Sequence, residues 1–154
     1  MYPKRNSLDA SASQELEDPT AFSQKIVAGK EVTLTEEFMV IARLESLIAG
    51  AGLEDALDRA EQYIEAGADG IMIHSSDRRP DDIVAFSESY KALCRRMGCK
   101  PVLGCVPTTY NTITEAELIN CGFNIIIHAN HLLRAAYKAM NQAALTILES
   151  GRSL

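Results

Sequence analysis

The stretch FMVIARLESLIAGAGLEDALDRAEQYIEAGADGIMIHS, residues 38–75, decides the fold. FMVIARL (38–44) is a short apolar, partly β-branched run, the pattern of a strand covered on both faces. In the segment that follows, Leu53, Ala56, Leu57, Ala60 and Ile64 fall on one helical stripe with Glu and Asp opposite. Gly67 is placed to end that helix. GIMIH (70–74) then reads as a second buried strand.

The same rhythm continues toward the C-terminus. After the polar loop SSDRRPDD, Pro80 stands near a helix start, and Ile83, Val84, Phe86, Tyr90, Leu93 and Cys94 form an amphipathic face closed by Gly98. PVLGCVPT (101–108) is a third strand. Thr114 with Glu117 three residues later predicts a capping box opening a short helix. NIIIHAN (124–130) is a fourth strand, and a last helix runs from about His131 to Glu149 with Gly151 after it. Toward the N-terminus, Pro19 sits at a helix start, Phe22, Ile26 and Val27 recur at helical spacing, and Gly29 marks the expected end. EVTLTEE reads as a connection. The order is one helix, then strand–helix four times. It implies parallel strands with right-handed crossovers, either as an open doubly wound sheet or as part of a (β/α)₈ barrel.

Composition bounds the rest. The chain has 154 residues, 47% of them apolar, which suits one domain with a real core. Charged residues make up 23%, an ordinary value that argues against general disorder. Asp plus Glu number 21 against 15 Lys plus Arg, a net charge of −6, so no basic face for nucleic acid is expected. No apolar run approaches the roughly 20 residues of a membrane span, and the N-terminus carries no signal core. The expectation is a soluble cytoplasmic protein. Cysteines at 94, 99, 105 and 121 form no CxxC and no zinc spacing, so reduced thiols are expected.

In both architectures ligands bind at the C-terminal ends of parallel strands. That rule singles out Arg43 and Glu45, His74 and Ser75, Thr108 and Thr109, and His128, Asn130 and His131. They read as a polar rim around an anionic ligand, with Arg43 suited to a bidentate contact with phosphate or carboxylate and His74 to a second anionic group. Each also has a plainer reading. Arg43 and Glu45 suit a mutual ion pair, His74 a satisfied core histidine, the threonines a turn, His128 a packing residue and His131 a helix cap. No Walker loop, GxGxxG, GxSxG or HExxH is present.

The segments FMVIARLESLIAG, GLEDALDRAEQYIEAGADGIMIHS, VPTTY and IIIHANHLLRAA closely resemble the phosphoenolpyruvate mutase branch of the isocitrate lyase superfamily. The ARxE, IMIHS and ANHxxRA blocks come in that family's order and spacing. PKRNSL near the N-terminus looks like the tail of its mobile lid. The resemblance implies the C-terminal half of a (β/α)₈ barrel of the TIM type, with residues 1–37 a lid remnant and short helix and 38–154 a single half-barrel domain. It implies interconversion of phosphoenolpyruvate and phosphonopyruvate with Mg²⁺. By similarity, Arg43 holds the phosphoryl group and His74 the carboxylate or enolate side. Asn6, Ser7 and Lys4 lie on the lid, with Asn6 against the migrating phosphoryl group. Glu45, Thr108 and Asn130 are supporting.

This sequence departs from the family in places. The first four strands, the acidic residues that hold Mg²⁺ and the amides that cradle the phosphoryl group would lie in a half that precedes Met1. No metal ligand set is expected within the chain, since Glu45 and Asp69 are isolated acids. Arg5 stands where a small polar residue is usual. A half-barrel exposes two sheet edges and an apolar interior, so a homo-oligomer or a complementary half is the expected partner. The sister hydrolase branch tends to carry threonine where Asn6 stands, which favours the mutase. The lyase branches need a Cys-containing lid that PKRNSL replaces. A non-catalytic fragment that binds a partner is the third reading.

Overall fold

A computed structural model describes residues 15–35 and 37–153. The elements are α1 (Pro19–Glu31), β1 (Ile41–Leu44), α2 (Gly52–Glu65), β2 (Gly70–Ile73), α3 (Asp81–Met97), β3 (Val102–Cys105), α4 (Glu115–Asn120), β4 (Ile125–Ile126) and α5 (His131–Ser150). All strand pairs are parallel, and the sheet order is β1-β2-β3-β4. That order decides between the two architectures. A doubly wound sheet reverses its direction of growth and receives helices on both faces. A sheet that grows in sequence order with right-handed crossovers places its helices on one face, as in a barrel. Accordingly α1 packs on α2 and α2 on α3.

The two sheet faces differ in character. Ala42, Leu44, Ile71, Ile73, Leu103 and Cys105 are buried and join Ala56 and Ala60 of α2 and Ile83, Phe86 and Leu93 of α3 in one core. Tyr63 extends the α2 stripe beyond the expected positions, because the ring of Phe22 on α1 packs on it at 4.8 Å. The other face carries a cross-strand row, Arg43, Met72, Gly104 and Ile125, paired in register. At Gly70 a side chain does not fit: a Cβ would stand 2.7 Å from the Val102 carbonyl oxygen. The tight β2–β3 approach therefore requires glycine.

Caps follow the local rules. Asp18 accepts the Ala21 N–H at 2.9 Å with Pro19 in the first turn. Thr114 and Glu117 form the expected box, the Glu117 carboxylate accepting the Thr114 N–H at 2.8 Å. Helix α1 continues past Gly29 to Glu31, which brings Lys30 to Asp69. The fourth strand is only two residues long. Ahead of it the Asn124 side chain accepts the Leu103 N–H at 2.9 Å and so takes a ladder position. Helix α5 forms as expected, yet none of its residues is buried. Leu132, Leu133, Tyr137, Met140 and Leu148 are exposed. The four cysteines are free thiols.

Asp69 ties the layers together. Its carboxylate accepts from Lys30 Nζ at 2.9 and 2.8 Å and from the Val40 N–H at 2.7 Å. Burial opposes its charge, but the Lys30 ammonium and the Val40 N–H outweigh that and hold the carboxyl below the usual range. A depressed folded-state pKa gives stability that is present above about pH 4 and lost as the pH falls further. The two side chains are 29% and 31% exposed, so solvent screens part of the interaction. Asp69→Asn should cost about 1 kcal/mol at pH 7. It should also flatten the acid loss of stability, measured by urea melts from neutral pH down to pH ~3.

Candidate functional site

Arg43 lies next to the end of β1, and His74 directly follows β2. The two-residue period of a strand keeps Arg43, Met72 and His74 on one face. Continuing the register one step past the strands sets His74 level with Glu45. Arg43 Nε contacts Glu45 Oε1 at 2.5 Å, so the ion pair predicted as the plainer reading exists. The Arg43 side chain remains 41% exposed, which leaves the guanidinium accessible to a ligand.

His74 is buried, at 3% exposure, and its Nδ1 has no hydrogen-bond partner among the described residues. It is thus not a satisfied core histidine. Burial, and secondarily the nearby Arg43 guanidinium, push its pKa down to about 4. The imidazole is neutral at pH 7 and holds one N–H to donate. Tyr110, fully buried, feels the same guanidinium, although burial dominates and drives its phenol upward. Burial likewise raises the Cys105 thiol to about 12 and keeps it inert.

The buried polar atoms without a partner among the described residues include Ser46 Oγ, His74 Nδ1 and Thr108 Oγ1. These three follow β1, β2 and β3 respectively. An unsatisfied buried polar atom costs about 1–3 kcal/mol. Three at the ligand-binding end of one parallel sheet suit a polar ligand that satisfies them. Ser46 and Tyr110 were missed by sequence reasoning. Ser46 sits one residue beyond the ARLE block, and its burial has no local signal. Tyr110 closes the VPTTY block, and only tertiary packing reveals that it turns inward.

The remaining rim residues make other contacts. Ser75 Oγ accepts the Asp77 N–H at 3.1 Å and so shapes the loop. His128 is exposed rather than packed, with Nε2 2.8 Å from Glu115 Oε1. His131 is the first residue of α5 and meets His128 edge-on at 5.8 Å, while Asn130 takes the cap position. Asn130 is exposed with φ of 63°, the one positive value at a non-glycine among the described residues. A left-handed asparagine at a strand tip is a place where strain collects at functional sites. Lys4, Asn6 and Ser7 lie outside the described residues. Among the described residues no three carboxylate, His or Cys side chains converge on a metal position, and Glu45 is engaged by Arg43. These residues do not build a magnesium site.

A family model described as phosphoenolpyruvate phosphomutase matches residues 4–148. The chain belongs to the phosphoenolpyruvate phosphomutase family. A relative so named from Tetrahymena pyriformis is 42% identical over 97% of this chain and 47% of its own length. The crystal structure of the phosphoenolpyruvate phosphomutase of Streptomyces platensis subsp. rosaceus superposes with a TM-score of 0.87 at 40% identity. That match covers 98% of this chain and 50% of the other. A phosphonopyruvate hydrolase structure, in complex with oxalate and Mg²⁺, superposes at 0.83 with 38% identity, covering 98% of this chain and 49% of that one. The chain thus spans about half the length of the family members it matches. Its sheet corresponds to half of a (β/α)₈ barrel.

Proposed function

We propose that this chain supplies the substrate-holding half of an enzyme that interconverts phosphoenolpyruvate and 3-phosphonopyruvate, forming or breaking a C–P bond in phosphonate biosynthesis. The observation that carries the reading is a buried, neutral His74 with an unpartnered Nδ1 beside the accessible guanidinium of Arg43, at adjacent strand tips. Such a pair matches a small acid with two anionic ends. Arg43, held in place by Glu45, grips phosphoryl oxygens with its planar fork. His74 donates its N–H to the carboxylate or enolate oxygen. Thr108 and Ser46 supply short hydroxyl contacts at the rim.

Phosphoryl transfer passes through a loose, metaphosphate-like species, so orientation and charge stabilisation do the catalysis. Water must be kept out, since it would capture the phosphoryl group. On this reading Lys4, Asn6 and Ser7 belong to a lid, and Asn6 presents a neutral amide to the migrating group. The magnesium ion would be held by carboxylates outside this chain and would neutralise charge on the substrate oxygens. Association is part of the proposal. Strands β1 and β4 each have one unpaired edge within this sheet, and α5 leaves its apolar side chains uncovered. Both suit a second copy or a complementary half-barrel. Among the described residues no helix is long and apolar enough to cross a membrane, which suits action in the cytoplasm.

Phosphonopyruvate hydrolysis is the second reading, favoured by the 38% identity to the hydrolase and opposed by Asn6. A non-catalytic half that only binds a partner is the third. Phosphorus NMR of phosphonopyruvate with Mg²⁺ and the protein, alone and mixed with the complementary half of a family member, separates them. Phosphoenolpyruvate should appear. Free phosphate would instead establish hydrolysis, and an unchanged spectrum in both samples would leave only the binding role.

A further inference from the structure

We propose that Cys94 and Cys99 form a thiol–disulfide exchange site that takes a small acidic disulfide and closes to a Cys94–Cys99 link. The site lies at the N-terminal end of β3, the opposite end of the sheet from Arg43 and His74. It arises from how α3 stops. Gly98 adopts φ of 68°, its N–H donates to the Arg95 carbonyl at 3.3 Å, and the Cys99 N–H donates to the Cys94 carbonyl at 3.1 Å. This is a Schellman ending, which brings together the side chains at its first and last positions. Those positions are usually filled by an apolar pair, and here both are cysteine. The Cys99 sulfhydryl is near enough to influence the Cys94 thiol, and the turn draws the two residues toward the arrangement of a bridge, which needs Cα atoms within about 7 Å and converging side chains.

A cavity of about 410 Å³ opens beside them, lined by Tyr90, Lys91, Arg95 and Lys100 as well as both cysteines. Among the described residues no carboxylate lines it. Three cations around two thiols favour an anionic reaction partner by attraction. Cys99, in the turn beyond the end of the helix, makes the first attack, and burial raises the Cys94 thiol above its ordinary value. The Cys99 thiolate attacks one sulfur of the disulfide RSSR, forming Cys99–S–S–R and expelling RS⁻. The Cys94 thiolate then attacks the Cys99 sulfur, forming the Cys94–Cys99 bond and expelling the second RS⁻. Two protein thiols are oxidised and one external disulfide is reduced to two thiols. Neither step involves the strand-tip residues, so this site stands or falls apart from the proposed catalytic reading.

The test treats the purified protein with oxidised glutathione at about pH 8.5, the ordinary thiol pKa, then alkylates the remaining thiols after unfolding and measures intact mass. The expected product has lost two hydrogens, alkylates only at Cys105 and Cys121, and reverts with dithiothreitol. Cys105→Ser and Cys121→Ser variants should still close the link. Cys94→Ser should stop at a glutathione adduct on Cys99. Lys100→Glu should slow the reaction with oxidised glutathione several-fold and leave that with neutral hydroxyethyl disulfide unchanged. Four alkylatable thiols in the treated protein, or a link that survives in Cys94→Ser, would overturn the site. Equal slowing with both disulfides would overturn the preference for an acidic partner.

Discussion

Arg43→Ala, introduced into an assembled enzyme that contains this chain, should lower kcat/KM for phosphonopyruvate by about 10³-fold, a loss of roughly 4 kcal/mol of transition-state stabilisation. The reason is positional. Arg43 is the guanidinium at the end of β1, held in place by Glu45 and still open to solvent. Its fork can take two phosphoryl oxygens at once, which a shorter or apolar side chain does not replace. Arg43→Lys should keep the Glu45 pair and the charge but lose the bidentate geometry, giving an intermediate rate. That variant also separates function from folding, because alanine leaves the largely buried Glu45 carboxylate without this ion pair. Steady-state kinetics beside circular-dichroism melts decide the matter. Full turnover by Arg43→Ala with a native melt would remove Arg43 from the site.

The second large effect concerns His74 and acid. Its pKa is about 4 in the folded chain and about 6.5 when unfolded. Between those values the unfolded chain takes up a proton that the folded chain refuses. Stability therefore declines as the pH falls from about 6.5 to about 4, by as much as ~3 kcal/mol from this one group. His74→Gln keeps a hydrogen-bonding side chain that does not titrate, so its stability profile should lack that decline. In the assembled enzyme it should also lose about 10²-fold in rate, because the amide places its donor differently from an imidazole N–H. Urea melts across this range, run side by side for both proteins, test the stability half. Parallel profiles would mean that His74 is not held neutral by burial.

Much of this was legible in the sequence, and the exceptions have physical causes. Apolar runs ending in Arg43 or His74 announced strands, and Gly98 announced a helix stop, because these are local signals. The rhythm alone did not choose between a doubly wound sheet and a barrel, since both share it and differ only in strand order; the family resemblance pointed to the barrel. β4 is shorter than the apolar run, in part because the Asn124 side chain takes a ladder position at its start. For the site, residue type and position at a strand end selected Arg43, Glu45, His74 and Thr108. What the sequence withheld was solvation. That His74 Nδ1 and Ser46 Oγ are buried without described partners depends on packing from several elements.

The strand order also bears on how the chain acquires its shape. Ile41 pairs with Gly70, Gly70 with Val102, and Gly104 with Ile125, separations of 29, 32 and 21 residues. Each strand thus finds its neighbour after only one intervening helix, and loop closure over such spans is entropically mild. Units of this kind can dock one after another as they emerge from the ribosome, without waiting for distant sequence.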